Sequence, residues 1–132
     1  MKIGAHESVS GGMHRAIERA TQDGCESVQV FVKNQKRWTQ RAWTDEEAAT
    51  FRTAYEDSDL EGLMAHAGYL INLCTDKPDT LHKAKLALAD ELTRCAQLGV
   101  PYLVMHPGSH VGQGEEVGLE RIARNLAYTS SK

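Results

Sequence analysis

Apolar residues along the chain switch between two spacings, and this alternation predicts four repeats of a strand followed by a helix. Short apolar runs occupy the segments KIGAH, SVQVFV, EGLMAH and PYLVMH, at positions 2–6, 27–32, 61–66 and 101–106. Between these runs, apolar residues recur every three or four positions, as they do on one face of a helix. Strands separated by helices favour parallel pairing through right-handed crossovers. Because the runs are almost continuously apolar, we expect both faces of the sheet to be buried.

Start and stop signals bound the predicted helices. The second helix begins at the capping-box pattern of Thr44 and Glu47, and the third opens at Pro78 and ends at Gly99. The fourth begins at Glu115. The predicted apolar faces are Met13, Ala16, Ile17 and Ala20 in the first helix, Phe51 and Tyr55 in the second, Leu81, Ala84, Leu88, Leu92 and Cys95 in the third, and Leu119, Ile122 and Leu126 in the fourth.

This α/β order fits two architectures, namely a small open parallel sheet or part of a (βα)8 barrel. In either one, ligands bind at the carboxyl ends of the strands. No linker or repeat divides residues 1–132, so we predict a single domain. The content of 41% hydrophobic and 25% charged residues is typical of a folded chain rather than a disordered one.

Sequence features argue against a membrane protein, a secreted protein and a disulfide scaffold, and the net charge bears on binding to nucleic acid. No segment approaches the roughly 18 apolar residues of a membrane span, and the first residues lack the apolar core of a signal peptide. We therefore expect a cytoplasmic protein with no membrane partner. Cys25, Cys74 and Cys95 form no paired pattern, which argues against a disulfide scaffold. The net charge of -3 argues against general attraction to nucleic acid, although it allows a local basic patch.

Histidines end several of the predicted strands. His66 and His106 end consecutive strands, whose spacing of about 4.8 Å lets two imidazoles converge on one metal ion. His6 ends the first strand and either ligates or orients a ligand. Each histidine equally fits a polar strand end satisfied by the backbone. No carboxylate is expected beside them, because strand alternation turns Glu7 away from His6.

The segment KNQKRWTQRAW, residues 33–43 and here called the basic loop, follows the second strand. It carries four positive residues, two tryptophans and no acid. Basic side chains contact phosphates, whereas amides and aromatic rings contact bases. We therefore predict nucleic-acid contacts for Asn34, Gln35 and Lys36, and packing against the second helix for Trp43. Tyr69, three residues after His66, either wedges into a base stack or caps the core.

Four motifs in order carry a family resemblance: GAHESVSGG, FVKNQKRW, HAGYLINL and HPGSH. Together they resemble endonuclease IV, the zinc-dependent apurinic/apyrimidinic endonuclease family of base-excision repair. The resemblance implies that the chain is the first four βα units of a (βα)8 TIM barrel, a half barrel with parallel strands. It also implies a deoxyribonuclease IV-type phosphodiesterase with three zinc ions, which hydrolyses the bond 5′ to an abasic site.

The resemblance assigns roles residue by residue. His66 and His106 match two zinc ligands, Asn34, Gln35 and Lys36 match a DNA-recognition loop, and Tyr69 matches a residue that inserts at the lesion. No catalytic residue is identified within the chain. Zinc is the implied cofactor, and DNA with abasic sites is the implied partner.

The family barrel is about twice as long as this chain, and its remaining metal ligands lie in its second half. The polar end AYTSSK is unlike a continuing barrel. We therefore expect a truncated chain that lacks full activity alone, and whose open strand edges pair with a second half-barrel or a copy of itself. The alternatives are a non-catalytic DNA-binding or inert fragment, or a related sugar isomerase or epimerase. The basic loop counts against the sugar enzymes, which have no use for it.

Overall fold

The computed structural model describes residues 1–130, which form four successive βα units. The strands are β1 (Gly4–His6), β2 (Ser27–Val30), β3 (Gly62–His66) and β4 (Leu103–Val104), and the helices are α1 (His14–Gln22), α2 (Asp45–Glu56), α3 (Pro78–Leu98) and α4 (Glu115–Ser130). The strands make one parallel sheet in the order β1-β2-β3-β4. This is the predicted half barrel. Among the helices described, none is both long enough and apolar enough to cross a membrane.

The strands are shorter than the apolar runs that predict them. β2 ends at Val30 rather than at position 32, and β4 contains only Leu103 and Val104 rather than positions 101–106. Pro101 has no amide hydrogen to donate to a ladder, which explains the late start of β4. His106 therefore lies two residues beyond its strand and is held by the loop that follows.

The two faces of the sheet differ in burial, which contradicts the expectation that both are covered. Val28 and Val30 of β2 and Leu63 and Ala65 of β3 are buried in the core with residues of the surrounding helices. The alternate residues of β2 and β3 are only half-buried, and all three residues of β1 are exposed. The helices therefore cover one face and leave the other face open along the strands.

The helix boundaries follow the predicted signals. The Thr44 hydroxyl accepts a hydrogen bond from the amide of Glu47, and the Glu47 carboxylate accepts one from the amide of Thr44. This reciprocal pair begins α2 as the capping box predicts. At the end of α3, Gly99 has a φ of 72°, a left-handed conformation that glycine adopts without a side-chain clash.

Two of the predicted apolar faces are wrong in part. Leu92 of α3 is exposed, and so are Leu119 and Leu126 of α4. Ile122 faces inward as predicted, and the other inward positions of α4 are Gly118, Asn125 and Thr129. Asn125 donates a hydrogen bond from its side-chain amide to the backbone oxygen of Leu73, at 2.8 Å. This buried polar contact sets the rotation of α4, and the apolar spacing alone does not report it.

The three cysteines are free thiols, as their unpaired pattern predicts. Cys74 and Cys95 are buried and Cys25 is half-buried. Burial raises the pKa of the Cys95 thiol to about 11, so this side chain is a neutral thiol at pH 7.

Candidate metal and nucleic-acid site

His66 at the end of β3 and His106 in the segment after β4 lie side by side, with ring centres 5.2 Å apart. Zinc–nitrogen bonds of about 2.0–2.1 Å in a tetrahedral site place the centres of two ligating imidazoles about 5 Å apart. The Nδ1 atom of His66 lies 2.7 Å from the backbone oxygen of Ala67. Because a carbonyl oxygen can only accept, Nδ1 is the donor, and in the neutral imidazole Nε2 is then the nitrogen with a free lone pair. The spacing of the two rings therefore matches that of two imidazoles on one zinc ion.

A complete metal site is not present within residues 1–130, where no group of three or more His, Cys, Asp or Glu side chains could hold an ion. His6 hydrogen-bonds through Nδ1 to the Gln29 side chain at 2.9 Å and packs on Phe31, with ring centres 4.3 Å apart. The Nδ1 atom of His110 accepts hydrogen bonds from the amides of Gly112 and Gly114. His6 and His110 thus have local partners, which leaves His66 and His106 as the candidate ligand pair among the described residues.

Glu7 directly follows β1 and is buried, whereas His6 before it is exposed, which is the alternation that the sequence predicts. Its backbone amide donates a hydrogen bond to the Gln29 backbone oxygen at 2.9 Å, so the chain stays paired with β2 at this residue. Glu7 is buried and lines a cavity of about 610 Å³ together with His6, Asn34 and Lys36. The cavity opens between the segments that follow β1 and β2, and it combines acidic, basic and amide groups.

Two of the four positive side chains of the basic loop are engaged within the protein. Lys33 is buried, and its Nζ atom lies 3.4 Å from an Asp90 oxygen and 3.6 Å from a Glu91 oxygen. Arg41 pairs with Glu47, with a nitrogen–oxygen distance of 2.6 Å. The side chains of Lys36 and Arg37 are exposed. The basic patch that faces solvent is therefore smaller than the sequence suggests.

Asn34 and Gln35 have different environments. The Asn34 side-chain oxygen accepts a hydrogen bond from the amide of Lys36 at 2.9 Å, and its own backbone amide donates to the Gln40 side chain at 2.8 Å. Asn34 therefore shapes the turn that presents its neighbours. The Gln35 side-chain oxygen is buried and has no hydrogen-bond partner among the described residues. A buried acceptor without a partner is uncommon in folded proteins.

Tyr69 stands on the segment after β3, residues 67–77, here called the tyrosine loop. Its side chain is 66% exposed, so it does not cap the core. Its ring centre lies 5.9 Å from that of Phe31, which is also 6.0 Å from the ring centre of His66. Phe31 thus joins the histidines to Tyr69. The apolar run predicts Phe31 to be part of the second strand, whereas Phe31 lies directly after β2. The signal for its place in the site is an aromatic residue at the end of the run.

Asn72 links the tyrosine loop to the segment after β4, residues 105–114, here called the histidine loop. Its side-chain oxygen accepts hydrogen bonds from the amides of Cys74, at 2.9 Å, and Ser109, at 3.1 Å. Its side-chain amide donates to the Ser109 backbone oxygen at 3.2 Å. These bonds continue the short pairing of β3 with β4 and help to hold His106 near His66.

Comparison with known proteins places this geometry in a family. The family model described as xylose isomerase-like TIM barrel matches residues 17–131. The chain belongs to this xylose isomerase-like TIM-barrel family. Residues 17–131 include both of the strands that lead to His66 and His106.

Within the xylose isomerase-like family, the chain is similar to proteins named endonuclease 4. It is 45% identical over 122 residues to "Probable endonuclease 4" of Chloroflexus aurantiacus, a match covering 92% of this chain and 43% of the relative. The crystal structure of endonuclease IV from Thermus thermophilus superposes with a TM-score of 0.82 at 34% identity, over 98% of this chain and 48% of that one. The resemblance to the N-terminal half of endonuclease IV is confirmed, and the chain spans less than half the length of the curated relatives it matches.

A second branch of the same fold also superposes. D-psicose 3-epimerase from Clostridium cellulolyticum matches with a TM-score of 0.69 at 15% identity, over 99% of this chain and 48% of the epimerase. At this identity the match shows a shared fold alone. The comparison therefore shows that sugar epimerases share this fold, and it gives no support for a sugar-converting activity.

Proposed function

We propose that this chain forms the DNA-binding face and two metal ligands of a DNA-repair endonuclease that hydrolyses the phosphodiester bond 5′ to an abasic site. The observation that carries the proposal is the His66–His106 pair, whose ring centres lie 5.2 Å apart at the edge of the sheet where Tyr69 is exposed. The similarity to proteins named endonuclease 4 supports it.

The proposed metal ligands are the Nε2 atom of His66 and the imidazole of His106. Zinc held there supplies a Lewis acid that neutralises charge on a phosphate oxygen. The protein's own contribution is orientation, because the hydrogen bond from His66 Nδ1 to Ala67 directs Nε2 away from the backbone.

The proposed DNA contacts divide by chemistry. Lys36 pairs with a backbone phosphate, since its ammonium group is exposed. Gln35, which lines the same cavity as Lys36, contacts a base through its side-chain amide group. Tyr69 enters the base stack where a base is missing, because an abasic gap lowers the cost of unstacking. Asn34 supports these contacts by shaping the loop.

Two imidazoles are fewer than the three or four protein ligands that zinc takes in proteins. We therefore propose that a second half-barrel, or a copy of this chain, supplies the remaining ligands. The edges available for such pairing are β1, whose three residues are all exposed, and β4, on which Val104 is exposed. The 132 residues by themselves are expected to lack full endonuclease activity.

The test combines binding and cleavage on one substrate. A labelled duplex with a single abasic site is titrated with the chain in the presence of zinc, beside an intact duplex of the same sequence. We expect preference for the abasic duplex, and cleavage that stays weak unless a second half-barrel is added. His66→Ala and His106→Ala should each remove zinc binding and any cleavage. Equal binding to both duplexes would refute the proposed substrate.

Lys36→Ala provides a sharper test of the DNA face. Removing one phosphate contact should lower the slope of log affinity against log salt by about 0.9. Lys83→Ala on the exposed side of α3 is the matched control, because it removes the same charge elsewhere. An unchanged slope for Lys36→Ala, or an equal change for Lys83→Ala, would take Lys36 out of the interface.

A second candidate function is a DNA-binding chain without catalysis. The specific observation in its favour is that residues 1–130 hold a pair of ligands rather than a complete metal group. The same titration separates the two candidates. Preference for abasic DNA, with no cleavage under any metal or partner condition, would establish the second candidate in place of the first.

A further inference from the structure

The inner side of α3 carries charged side chains that are withdrawn from solvent. Glu91 is 2% exposed and Arg94 is 3% exposed. Arg94 donates hydrogen bonds to the backbone oxygens of Gln40, at 2.7 Å, and Arg41, at 3.0 Å, and pairs with Asp90 at 3.0 Å. Gln40 and Arg41 lie toward the end of the basic loop. One end of that loop is thus fastened to α3 by a buried guanidinium group.

Glu91 fastens the other end of the same loop. Lys33, the first residue of the basic loop, is buried with its Nζ atom 3.6 Å from a Glu91 oxygen. Lys33 also lies 3.4 Å from Asp90 and donates to the Trp38 backbone oxygen at 3.4 Å. The charged face of α3 therefore holds the beginning and the end of the basic loop, and Lys33 bonds to its middle at Trp38.

Glu91 also reaches the second DNA-facing segment. Both of its carboxylate oxygens lie 3.2 Å from the amide nitrogen of Gly68, the residue before Tyr69. At Gly68 the two loops meet, because a Cβ atom there would lie 3.4 Å from the Gln35 Cα and 3.2 Å from a Glu91 oxygen. One buried carboxylate thus contacts the basic loop through Lys33 and the tyrosine loop through Gly68.

We propose that Glu91 is a positioning residue, which holds the basic loop and the tyrosine loop in one fixed relation so that Lys36 and Tyr69 reach the same duplex. The DNA part of this inference rests on the proposed function. Glu91 touches neither the exposed end of Lys36 nor the DNA face, and it acts through Lys33 and Gly68.

Stability alone is a weak reason for placing charges here. Burial raises the pKa of Glu91, while the Gly68 amide and the Lys33 ammonium act in the opposite direction. A buried ion pair often contributes no more to stability than apolar side chains of similar volume. Its directional bonds, however, fix the relative placement of the segments it joins. Glu91 therefore orients the two loops through directional bonds, whereas a leucine at this position would only fill space.

The experiment measures amide hydrogen exchange in the full chain without DNA, comparing wild type with Glu91→Gln and Glu91→Ala. Glu91→Ala should speed exchange at least about tenfold in both residues 33–43 and the Gly68 amide. Glu91→Gln keeps an acceptor for Gly68 but loses the charge opposite Lys33. It should speed exchange in the basic loop and leave Gly68 within about threefold of wild type. Leu92→Ala, at an exposed position on the same helix, is the control and should change neither loop.

The second measurement is binding to the abasic duplex. We expect Glu91→Ala to weaken binding about tenfold, and Lys36→Ala to cost less in that background than in wild type. Unchanged loop exchange in both Glu91 variants would overturn the inference. Faster exchange throughout the sheet, with no excess in the two loops, would overturn it as well. A third outcome separates the two proposals. If the Glu91 variants exchange faster only in the two loops while the wild-type chain shows no preference for abasic DNA, the positioning role is supported and the proposed function is refuted.

Discussion

Replacing Asn72 with alanine removes the side chain that joins the tyrosine loop to the histidine loop. Three hydrogen bonds disappear, two with the backbone of Ser109 and one with the amide of Cys74. Water can replace the bonds at Ser109, which is exposed, but it reaches the buried Cys74 with more difficulty. The loss should therefore include the cost of an unsatisfied amide near the core.

The magnitude follows from these three bonds. Each contributes a net of about 0.5–1.5 kcal/mol, so the three together contribute roughly 1.5–4.5 kcal/mol. Because water replaces the bonds at Ser109, we expect a loss of roughly 2–3 kcal/mol for Asn72→Ala. For a chain of this length, that loss lowers Tm by roughly 6–15 °C. Asn72→Asp keeps the oxygen that accepts from Cys74 and Ser109 and loses only the donor to Ser109. It should cost about 1 kcal/mol, or somewhat more from repulsion between its charge and the Ser109 oxygen.

Urea unfolding followed by circular dichroism gives the free energy of unfolding for wild type, Asn72→Ala and Asn72→Asp. Zinc titration of the same variants reports on His106, which the histidine loop holds beside His66. We expect weaker zinc binding in Asn72→Ala even below the unfolding midpoint. A loss under about 0.5 kcal/mol, equal in the two variants, would show that the side chain does not hold the loops together.

Three further outcomes follow from the fold. Hydrogen bonding to Arg41 lowers the pKa of Glu47 from the usual 4.5 to about 2. Glu47 therefore stabilises the fold above pH 4.5, and this contribution is lost as the pH falls toward 2. In urea titrations across that pH range, the free energy of unfolding of Glu47→Gln should decrease less than that of wild type. Phe51→Ala should cost about 3–5 kcal/mol, because its ring is fully buried, and a loss below about 1 kcal/mol would contradict that packing. Leu119→Ala should leave Tm nearly unchanged whereas Ile122→Ala lowers it, and the reverse order would contradict the rotation of α4.

The order of the elements was accessible from the sequence because it depends on local physics. The capping box at Thr44, the proline that opens α3 and the glycine that ends it act within a few residues. Strand-end placement of His66 follows from the same local reading, since its apolar run stops there. These features need no knowledge of distant partners.

The composition of the candidate site was only partly accessible. Lys36 and Tyr69 are exposed, as contact with DNA requires. His106 lies close to His66, as the order of the strands predicts. The DNA and metal roles themselves stay predictions. Phe31 was missed because its run reads as one continuous strand, whereas pairing stops at Val30. Hydrogen bonding decides where a strand ends, and it depends on the neighbouring strand.

Sequence by itself determined four βα units and the edge of the sheet at which the histidines gather, since short-range spacing encodes both. Tertiary structure alone decided where the charges go. Lys33 reads as a solvent-facing cation, yet it is buried against Glu91 on a helix far along the chain. The apolar spacing predicts a buried Leu119, yet the hydrogen bond from Asn125 to Leu73 rotates α4 so that Leu119 faces solvent. A buried charge or polar group is tolerated only where a distant segment supplies its partner, and spacing along one chain does not report that partner.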